Sequence, residues 1–258
     1  MQGVDRIDTS VAHPARRYNY WLGGTDHFAA DRESGDLLAA AFPTVRIAAR
    51  ENRDFLRRTV RFLAESGVRQ FLDVGTGLPV PDNTHEVAQR VAPESRVLYV
   101  DNDPLVMVRS AALIQDGTGY LEADLRDPGT ILNQTVLDLD RPVALLLVAV
   151  LHFVHDDDQA HAAVRRLRDA LAPGSYLVAS NLTLDHAPPE LVARHDEMLA
   201  TGRSDVRART RTQFGAFFEG LELVEPGIVA VSDWRPERAE RPSPADVAIY
   251  GAVGRLPG

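Results

Sequence analysis

The sequence predicts an α/β fold built around a mostly parallel sheet. Short apolar runs with the character of buried strands recur between residues 69 and 180, and a helical segment follows each of the first four. Repeated strand-helix units give parallel strands joined by right-handed crossovers. With 258 residues, the chain is long enough for one sheet covered by helices on both faces. We therefore predict a single domain over 1–258, with a helical extension at 1–67 and a core at 68–258.

The extension contains three predicted helices. The first, His13–Leu22, has a proline in its first turn and stops at Gly23-Gly24, which is the usual order of start and stop signals. A second helix is predicted over 28–41. The third covers 44–66, where apolar residues recur at spacings of three and four and arginines occupy the opposite side. The arginine side is interpreted as a solvated face.

Aromatic residues and glycines cluster at the end of the first helix, and two interpretations stay open. Aromatic side chains more often belong to a core, which favours a packing helix. The following turn is glycine-rich and polar, which favours a lid over a substrate. The lid hypothesis assigns substrate contacts to Tyr18, Tyr20, Gly23, Gly24, Asp26 and His27.

The core alternates strands and helices and then becomes irregular. Predicted strands cover 69–74, 96–100, 120–123, 142–150 and 175–180. One predicted helix is capped by Asp82 or Asn83, with Glu86 at the position that a capping box from Asn83 needs, and further helices start at Pro104 and after the aspartates at 156–158. The last third is predicted to contain helices at 188–200 and 212–218, strands at 221–224 and 247–253, and a strand or extended loop at 228–234.

A glycine loop follows the first strand and indicates a ligand site. Asp73 ends the strand, Gly75-Thr76-Gly77 forms the loop, and Asp101 ends the next strand. Glycine lets backbone N–H groups approach a ligand, and strand carboxyl ends are where open α/β sheets hold nucleosides. A dinucleotide site needs the spacing G-x-G-x-x-G, and the third glycine is absent here. An oxidoreductase using a nicotinamide cofactor is therefore disfavoured.

Composition excludes several classes of chemistry. The chain has no cysteine and all 28 basic residues are arginine, so thiolate, Schiff-base and P-loop chemistry have no residues to use. A net charge of −9 disfavours a nucleic-acid partner. The longest apolar run, Val143–Leu151, is too short to cross a membrane, and no signal peptide is visible, so we expect a cytoplasmic protein. The oligomeric state is not indicated.

The D-x-G-x-G run, with an acidic residue after the next strand, resembles class I S-adenosylmethionine-dependent methyltransferases. A closer resemblance, to the actinobacterial "S-adenosyl methyltransferase" family, is carried by Arg6–Ser10, Leu22–Asp26, Gly75–Pro79 and Leu146–Phe153. The resemblance implies a Rossmann-like sheet of seven strands, mostly parallel, with an antiparallel hairpin at one edge. It also implies S-adenosylmethionine as cofactor and gives no substrate.

Residue roles follow from the same resemblance. Asp73 would complement the ammonium or sulfonium charge, Asp101 would accept hydrogen bonds from the ribose hydroxyls, and Asp124 would bind the adenine amino group. The full set of cofactor-binding residues expected from the resemblance is Asp73, Gly75, Thr76, Gly77, Asp101, Asn102, Asp124, Leu125 and Val150.

His152 follows the fourth strand and is the candidate catalytic base, like the histidine after a leucine in small-molecule O-methyltransferases. A histidine that only packs beside the cofactor is the alternative. His155 stands before three aspartates, which are interpreted as a helix cap, so no metal is expected. The predicted function is methylation of a small molecule. The alternative is a module that binds S-adenosylmethionine without turnover, or a partner subunit.

Overall fold

The computed structural model describes residues 6–111 and 116–258. Its strands are β1 (Gln70–Val74), β2 (Arg96–Asp101), β3 (Thr118–Glu122), β4 (Ala144–Leu147), β5 (Tyr176–Leu182), β6 (Glu222–Leu223), β7 (Val229–Ala230) and β8 (Ile249–Arg255). Within the described residues they form one sheet of eight strands in the order β3-β2-β1-β4-β5-β8-β6, with β7 also paired to β8.

The helices are α1 (Pro14–Trp21), α2 (Ala29–Ala41), α3 (Val45–Glu65), α4 (Thr84–Val91), α5 (Pro104–Ser110), α6 (Pro128–Asn133), α7 (Asp157–Arg168), α8 (Pro189–Ala200), α9 (Arg211–Gly215) and α10 (Pro244–Val247). Short 3-10 turns occupy Leu151–Phe153, Ala216–Phe218 and Val231–Asp233. The three predicted N-terminal helices are confirmed to within one or two residues at each end. None of the helices in the described part of the chain is long and apolar enough to span a membrane.

The pairing of the strands confirms the predicted fold class. Strands β1 to β5 are parallel, while β8 runs antiparallel to β5 and to both short strands, β6 and β7. The described chain has eight strands instead of the seven expected. The extra strand is β7, which lies in the stretch left open as strand or loop. It is short because only Val229 and Ala230 pair with β8 before a 3-10 turn begins.

Apolar side chains of the strands alternate between two cores, one on each face of the sheet. Leu72, Leu98 and Leu145 belong to one cluster, which α7 and the segment around Phe214 cover. Phe71 and Leu146 belong to the other, where α3 supplies buried side chains such as Phe55, Val60 and Leu63. This alternation is the period of two expected for strands buried on both faces.

Strand β4 is shorter than the apolar run that predicts it. The run extends to Leu151, but sheet pairing ends at Leu147 and the chain turns away. Ala149 has a φ of 56°, in the left-handed region, and its N–H is held by Ser180 Oγ at 3.0 Å. The apolar residues after Leu147 therefore form a turn at the edge of the sheet, a distinction that hydrophobicity alone does not encode.

The N-terminal helices are attached to the core through buried polar contacts. Arg16 of α1 donates to Asp103, which follows β2, with Nε–Oδ2 at 2.8 Å and Nη2–Oδ1 at 2.7 Å. Arg16 is 3% exposed and Asp103 is fully buried. Tyr18 of α1 also donates its hydroxyl to the carbonyl of Ala49 in α3 at 2.8 Å. Helix α1 thus lies over the carboxyl ends of the strands.

Candidate active site

A cavity of about 920 Å³ lies at the carboxyl ends of β1, β2 and β4. One end is bordered by the glycine loop and by Asp73, Asp101 and Asp124. The other end is bordered by side chains of α1, α2 and α8, among which are Trp21, Leu38 and Leu191. Ligand cavities of ~300–1,000 Å³ are usual, so this one lies near the upper end of that range.

The glycine loop has the backbone conformation and the free space that a ligand needs. Gly75 has a φ of 76° and Gly77 a φ of 69°, both in the left-handed region that favours glycine. A Cβ on Gly75 would lie 2.6 Å from the Cβ of Val150, so a larger residue does not fit there. No atom lies within 4 Å of a Cβ placed on Gly77, where the loop faces open space.

Asp101 is held in place by backbone donors and keeps acceptor capacity for a ligand. Its Oδ2 accepts from the N–H of Gly77 at 2.8 Å and its Oδ1 from the N–H of Asp103 at 3.0 Å. Burial raises the pKa of this carboxyl. Each carboxylate oxygen has a second lone pair, so Asp101 can accept two further hydrogen bonds.

Asp73 is buried, and the positively charged side chain near it at the same end of the cavity is that of Arg53. Its Oδ2 accepts from the hydroxyl of Thr84 at 2.6 Å. Burial raises the pKa of Asp73 to about 6, while the nearby positive charge of Arg53 acts in the opposite direction. Arg53 donates through Nη2 to the carbonyl of Asp82 at 3.0 Å and makes no ion pair with any carboxylate of the described residues.

Asp124 already has strong partners in the structure. Arg126 donates to it from Nε at 2.8 Å and from Nη2 at 2.6 Å, and Asn102 donates from Nδ2 at 2.8 Å. The hydrogen bond with Arg126 lowers the pKa of Asp124 to about 2. Leu125 is buried beside it, and Asn102, Asp124 and Leu125 all border the cavity.

His152 lies at the predicted place, at the cavity wall after β4. It is 8% exposed, and its Nδ1 accepts from the N–H of Leu182 at 3.4 Å. Burial lowers the pKa of the ring to about 3, so the imidazole is neutral at physiological pH. A neutral ring can accept a proton, but its surroundings disfavour the charged product, and a role for His152 as base stays a prediction.

The lid residues divide into two groups. Tyr18 borders the cavity, together with its neighbours Asn19 and Trp21. The remaining candidates, Tyr20, Gly23, Gly24, Asp26 and His27, do not border it. Asp26 pairs with Arg109 of α5 at 2.7 Å, and the hydroxyl of Tyr20 donates to Asp36 at 2.8 Å. These side chains fasten the turn to its neighbours, and a lid movement stays a prediction.

Comparisons with known proteins decide the family. The family model described as "S-adenosyl methyltransferase" matches residues 1–257. The chain belongs to this family. A protein of the DUF574 family from Streptomyces avermitilis MA-4680 is 48% identical to this methyltransferase, with a TM-score of 0.91 over 98% of this chain and 100% of that one. None of the curated protein sequences matches.

Other solved structures agree. A candidate methyltransferase from Thermobifida fusca YX is 40% identical, with a TM-score of 0.91 and coverage of 97% of both chains. Human N-acetylserotonin methyltransferase, solved with S-adenosylmethionine, is 14% identical, covers 96% of this chain and 64% of its own, and has a TM-score of 0.53. The last likeness shows the shared fold only.

This methyltransferase uses S-adenosylmethionine, and its cavity fits that cofactor. The space in front of Gly77 is open, and two buried carboxylates, Asp73 and Asp101, lie on either side of the glycine loop. Nothing in the comparisons supports the alternative of a binding module without turnover. The resemblance to class I methyltransferases that the sequence indicated is confirmed.

Sequence reasoning missed several cavity residues. Arg53 was assigned to a solvated arginine face, whereas it borders the cavity beside Asp73. Asn52 and Arg17 also border it and are 1% and 4% exposed. Arg50 and Arg57 recur at the same helical spacing as Arg53 but do not border the cavity. The spacing of the arginines therefore could not single out Arg53 as a cavity residue.

Proposed function

We propose that this methyltransferase transfers the methyl group to a small molecule bound in the end of the cavity away from Asp101. The observation that carries the proposal is one continuous cavity of about 920 Å³, with carboxylates at the glycine loop and mainly apolar side chains of α1, α2 and α8 at the other end. The net charge of −9 supports a small molecule over a nucleic acid.

The cofactor supplies a methyl group made electrophilic by its sulfonium sulfur. Methyl transfer is an in-line displacement, so the protein's contribution is to hold the acceptor ~3–3.5 Å from the methyl carbon and to exclude water. Helix α1 and the turn after β4 enclose the place where the acceptor would bind. Tyr18, Trp21 and His152 are the side chains we assign to its surroundings.

The charges in the cavity indicate which residues would bind the ribose and which would bind the amino-acid part of the cofactor. Asp101 would accept hydrogen bonds from the ribose hydroxyls, since it is fixed by two backbone donors and retains free lone pairs. The amino-acid end is a zwitterion, and Asp73 and Arg53 offer one negative and one positive group at the same side of the loop. Asp73 would pair with the ammonium and Arg53 with the carboxylate.

The ribose assignment predicts that Asp101→Ala weakens binding of S-adenosylhomocysteine by about 1.5–3 kcal/mol, the value of hydrogen bonds to a charged group. Isothermal titration calorimetry measures the difference. Asp127→Ala is the control, because Asp127 lies outside the cavity and only caps α6. Equal affinity in wild type and Asp101→Ala would remove the ribose assignment, and no binding to the wild type would contradict the proposed cofactor site.

The charge assignment predicts a pH dependence of binding. The pKa of Asp73 is about 6, and below it the neutral carboxyl no longer pairs with the ammonium. The dissociation constant of S-adenosylhomocysteine should therefore rise up to about tenfold per pH unit as the pH falls below ~6. Calorimetry between about pH 5 and 8 follows this change.

Variants separate the groups around Asp73. In Asp73→Asn the dissociation constant should depend less on pH. We assign any pH dependence that remains to Asp101, because burial raises the pKa of that carboxyl as well. Arg53→Met should move the midpoint to higher pH, because the positive charge that lowers the Asp73 pKa is gone. Identical profiles in wild type and Asp73→Asn would show that Asp73 does not pair with the ligand.

A further inference from the structure

The ring of His152 presents a hydrogen-bond donor to the cavity. Nδ1 accepts from the N–H of Leu182 at 3.4 Å, so the neutral ring carries its proton on Nε2. Nε2 makes no hydrogen bond with any described residue. It is also not among the unpartnered side-chain atoms that are inaccessible to solvent, so Nε2 is accessible. Because the ring is more than nine-tenths buried and borders the cavity, its accessible Nε2–H opens into that cavity.

The backbone and the ring are fixed in this orientation. The carbonyl oxygen of His152 accepts from the N–H of Arg207, N to O 2.7 Å. The ring packs edge-on against Phe153, with centroids 4.4 Å apart. Rotation of the ring to exchange its two nitrogens would break the contact with Leu182. The donor on Nε2 is therefore a built feature of the cavity wall.

Burial is the main reason that the ring is neutral, and two nearby arginines act in the same direction. Arg17 and Arg209 act against protonation, whereas Asp205 acts for it, and burial is the largest effect. Asp205 is paired with Arg17 at 2.6 Å, and Arg209 is fully buried and paired with Asp157. With these charges already paired, the ring offers a ligand a neutral N–H donor, and a hydrogen bond from such a donor is stronger to an anionic oxygen than to a neutral one.

Other polar side chains near this point already have partners: Asp205 is paired with Arg17, and Nε2 of His186 lies 3.3 Å from the hydroxyl oxygen of Tyr250. The hydroxyl of Tyr18 donates to the carbonyl of Ala49, and burial raises the pKa of Tyr18 to about 12. Nε2 of His195 is bonded to the carbonyl of Val206 at 2.9 Å. His155, at the exposed rim, is bonded through Nε2 to the carbonyl of Asp205 at 2.7 Å. A nucleophile that needs no deprotonation fits this arrangement best.

We infer that the methyl acceptor is an oxygen acid that binds already ionised, a carboxylate or an acidic phenol, and that His152 donates a hydrogen bond from Nε2 to its reacting oxygen. The inference rests on the proposed function and names the acceptor class for that same site. The anionic oxygen uses a lone pair to form the new C–O bond. The C–S bond breaks, and its electron pair goes to the sulfonium sulfur. The two charges cancel and no proton is released, so a base is not needed.

Nuclear magnetic resonance tests the donor directly and without any ligand. In protein labelled with ¹⁵N at histidine, the resonances of His152, assigned by their loss in His152→Gln, should be those of a neutral ring protonated at Nε2. They should not change between about pH 5 and 8, because the ring stays neutral over that range. A ring protonated at Nδ1, or one that titrates near neutral pH, would overturn the inference.

A second experiment tests the acceptor class in the complex with S-adenosylhomocysteine. The probes are benzoate and 4-nitrophenol, which distinguish the two sources of anionic oxygen, with benzyl alcohol and aniline as neutral probes of similar size. Benzoate or 4-nitrophenol should bind more tightly than both neutral probes. The absorbance of bound 4-nitrophenol should be that of the phenolate at a pH where the free probe is mainly protonated.

Two variants identify the role of the ring. His152→Leu should weaken phenolate binding about 10- to 100-fold, as expected for loss of a hydrogen bond to an anion. His152→Gln places an amide N–H near the position of Nε2 and should recover most of the affinity. Tighter binding of aniline or of neutral nitrophenol, or unchanged phenolate affinity in His152→Leu, would overturn the inference. Affinity for S-adenosylhomocysteine, measured in the same variants, shows separately whether the cofactor site is intact.

Discussion

Replacing Arg16 with methionine is expected to lower the free energy of unfolding by about 3–5 kcal/mol, the cost of leaving a buried charge without its partner. Asp103 is fully buried, and Arg16 donates to both of its carboxylate oxygens at 2.7 and 2.8 Å. In the variant the buried carboxylate loses this partner and keeps weaker ones, the N–H of Leu105 at 3.0 Å and the ring of His13, whose Nδ1 lies 3.4 Å from Oδ2. Urea unfolding followed by circular dichroism measures the change.

Two further variants make the result specific to the buried pair. Arg16→Met combined with Asp103→Asn should recover part of the loss, because asparagine carries no charge and can still accept from the N–H of Leu105, as Asp103 does at 3.0 Å. Arg50→Met is the matched control on an exposed arginine of α3 and should change stability by less than about 0.5 kcal/mol. A loss below about 1 kcal/mol for Arg16→Met would contradict the prediction.

Removal of residues 1–43 is expected to abolish binding of S-adenosylhomocysteine and to make the remaining chain poorly soluble. We infer that residues 1–67 and 68–258 fold as one domain, because α1 and α2 supply one wall of the cavity and Arg16 neutralises Asp103. Without them the apolar side chains that line the cavity become exposed to water. Calorimetry on a chain that starts at Thr44 measures the loss.

Proteolysis of the full chain supplies a control that does not depend on solubility. If the N-terminal helices close the cofactor site, saturating S-adenosylhomocysteine should slow cleavage in the exposed turn at Gly23–Thr25. Cleavage at the same rate with and without ligand, or tight binding by the shortened chain, would show that residues 1–43 are independent of the cofactor site.

Local patterns predicted the elements well. Pro14 and the glycines after Leu22 delimit α1, and Glu86 bonds to the N–H of Asn83 at 2.8 Å, as the capping box requires. These signals act within a few residues, so the chain carries them regardless of tertiary context. Strand β4 was predicted too long, because an apolar run indicates burial and does not distinguish a paired strand from a buried turn.

The glycine-loop end of the cavity, where we propose that the cofactor binds, was also indicated by the sequence. Asp73, Gly75, Gly77 and Asp101 are consecutive signals at the ends of β1 and β2, and parallel strands bring such ends to one edge. The substrate end was not accessible in the same way. Of the six residues proposed for the lid, only Tyr18 borders the cavity.

The sequence by itself determined the fold class, because the strand and helix patterns are short-range and recur along the chain, and its resemblance to class I methyltransferases indicated the cofactor. Only the tertiary structure decided which charges meet. Arg16 and Asp103 are 87 residues apart, and Arg53 shares its helical pattern with arginines that do not border the cavity. The proton position on His152 depends likewise on Leu182, 30 residues away. Such pairings depend on the packing of distant segments, which no local pattern of residues records.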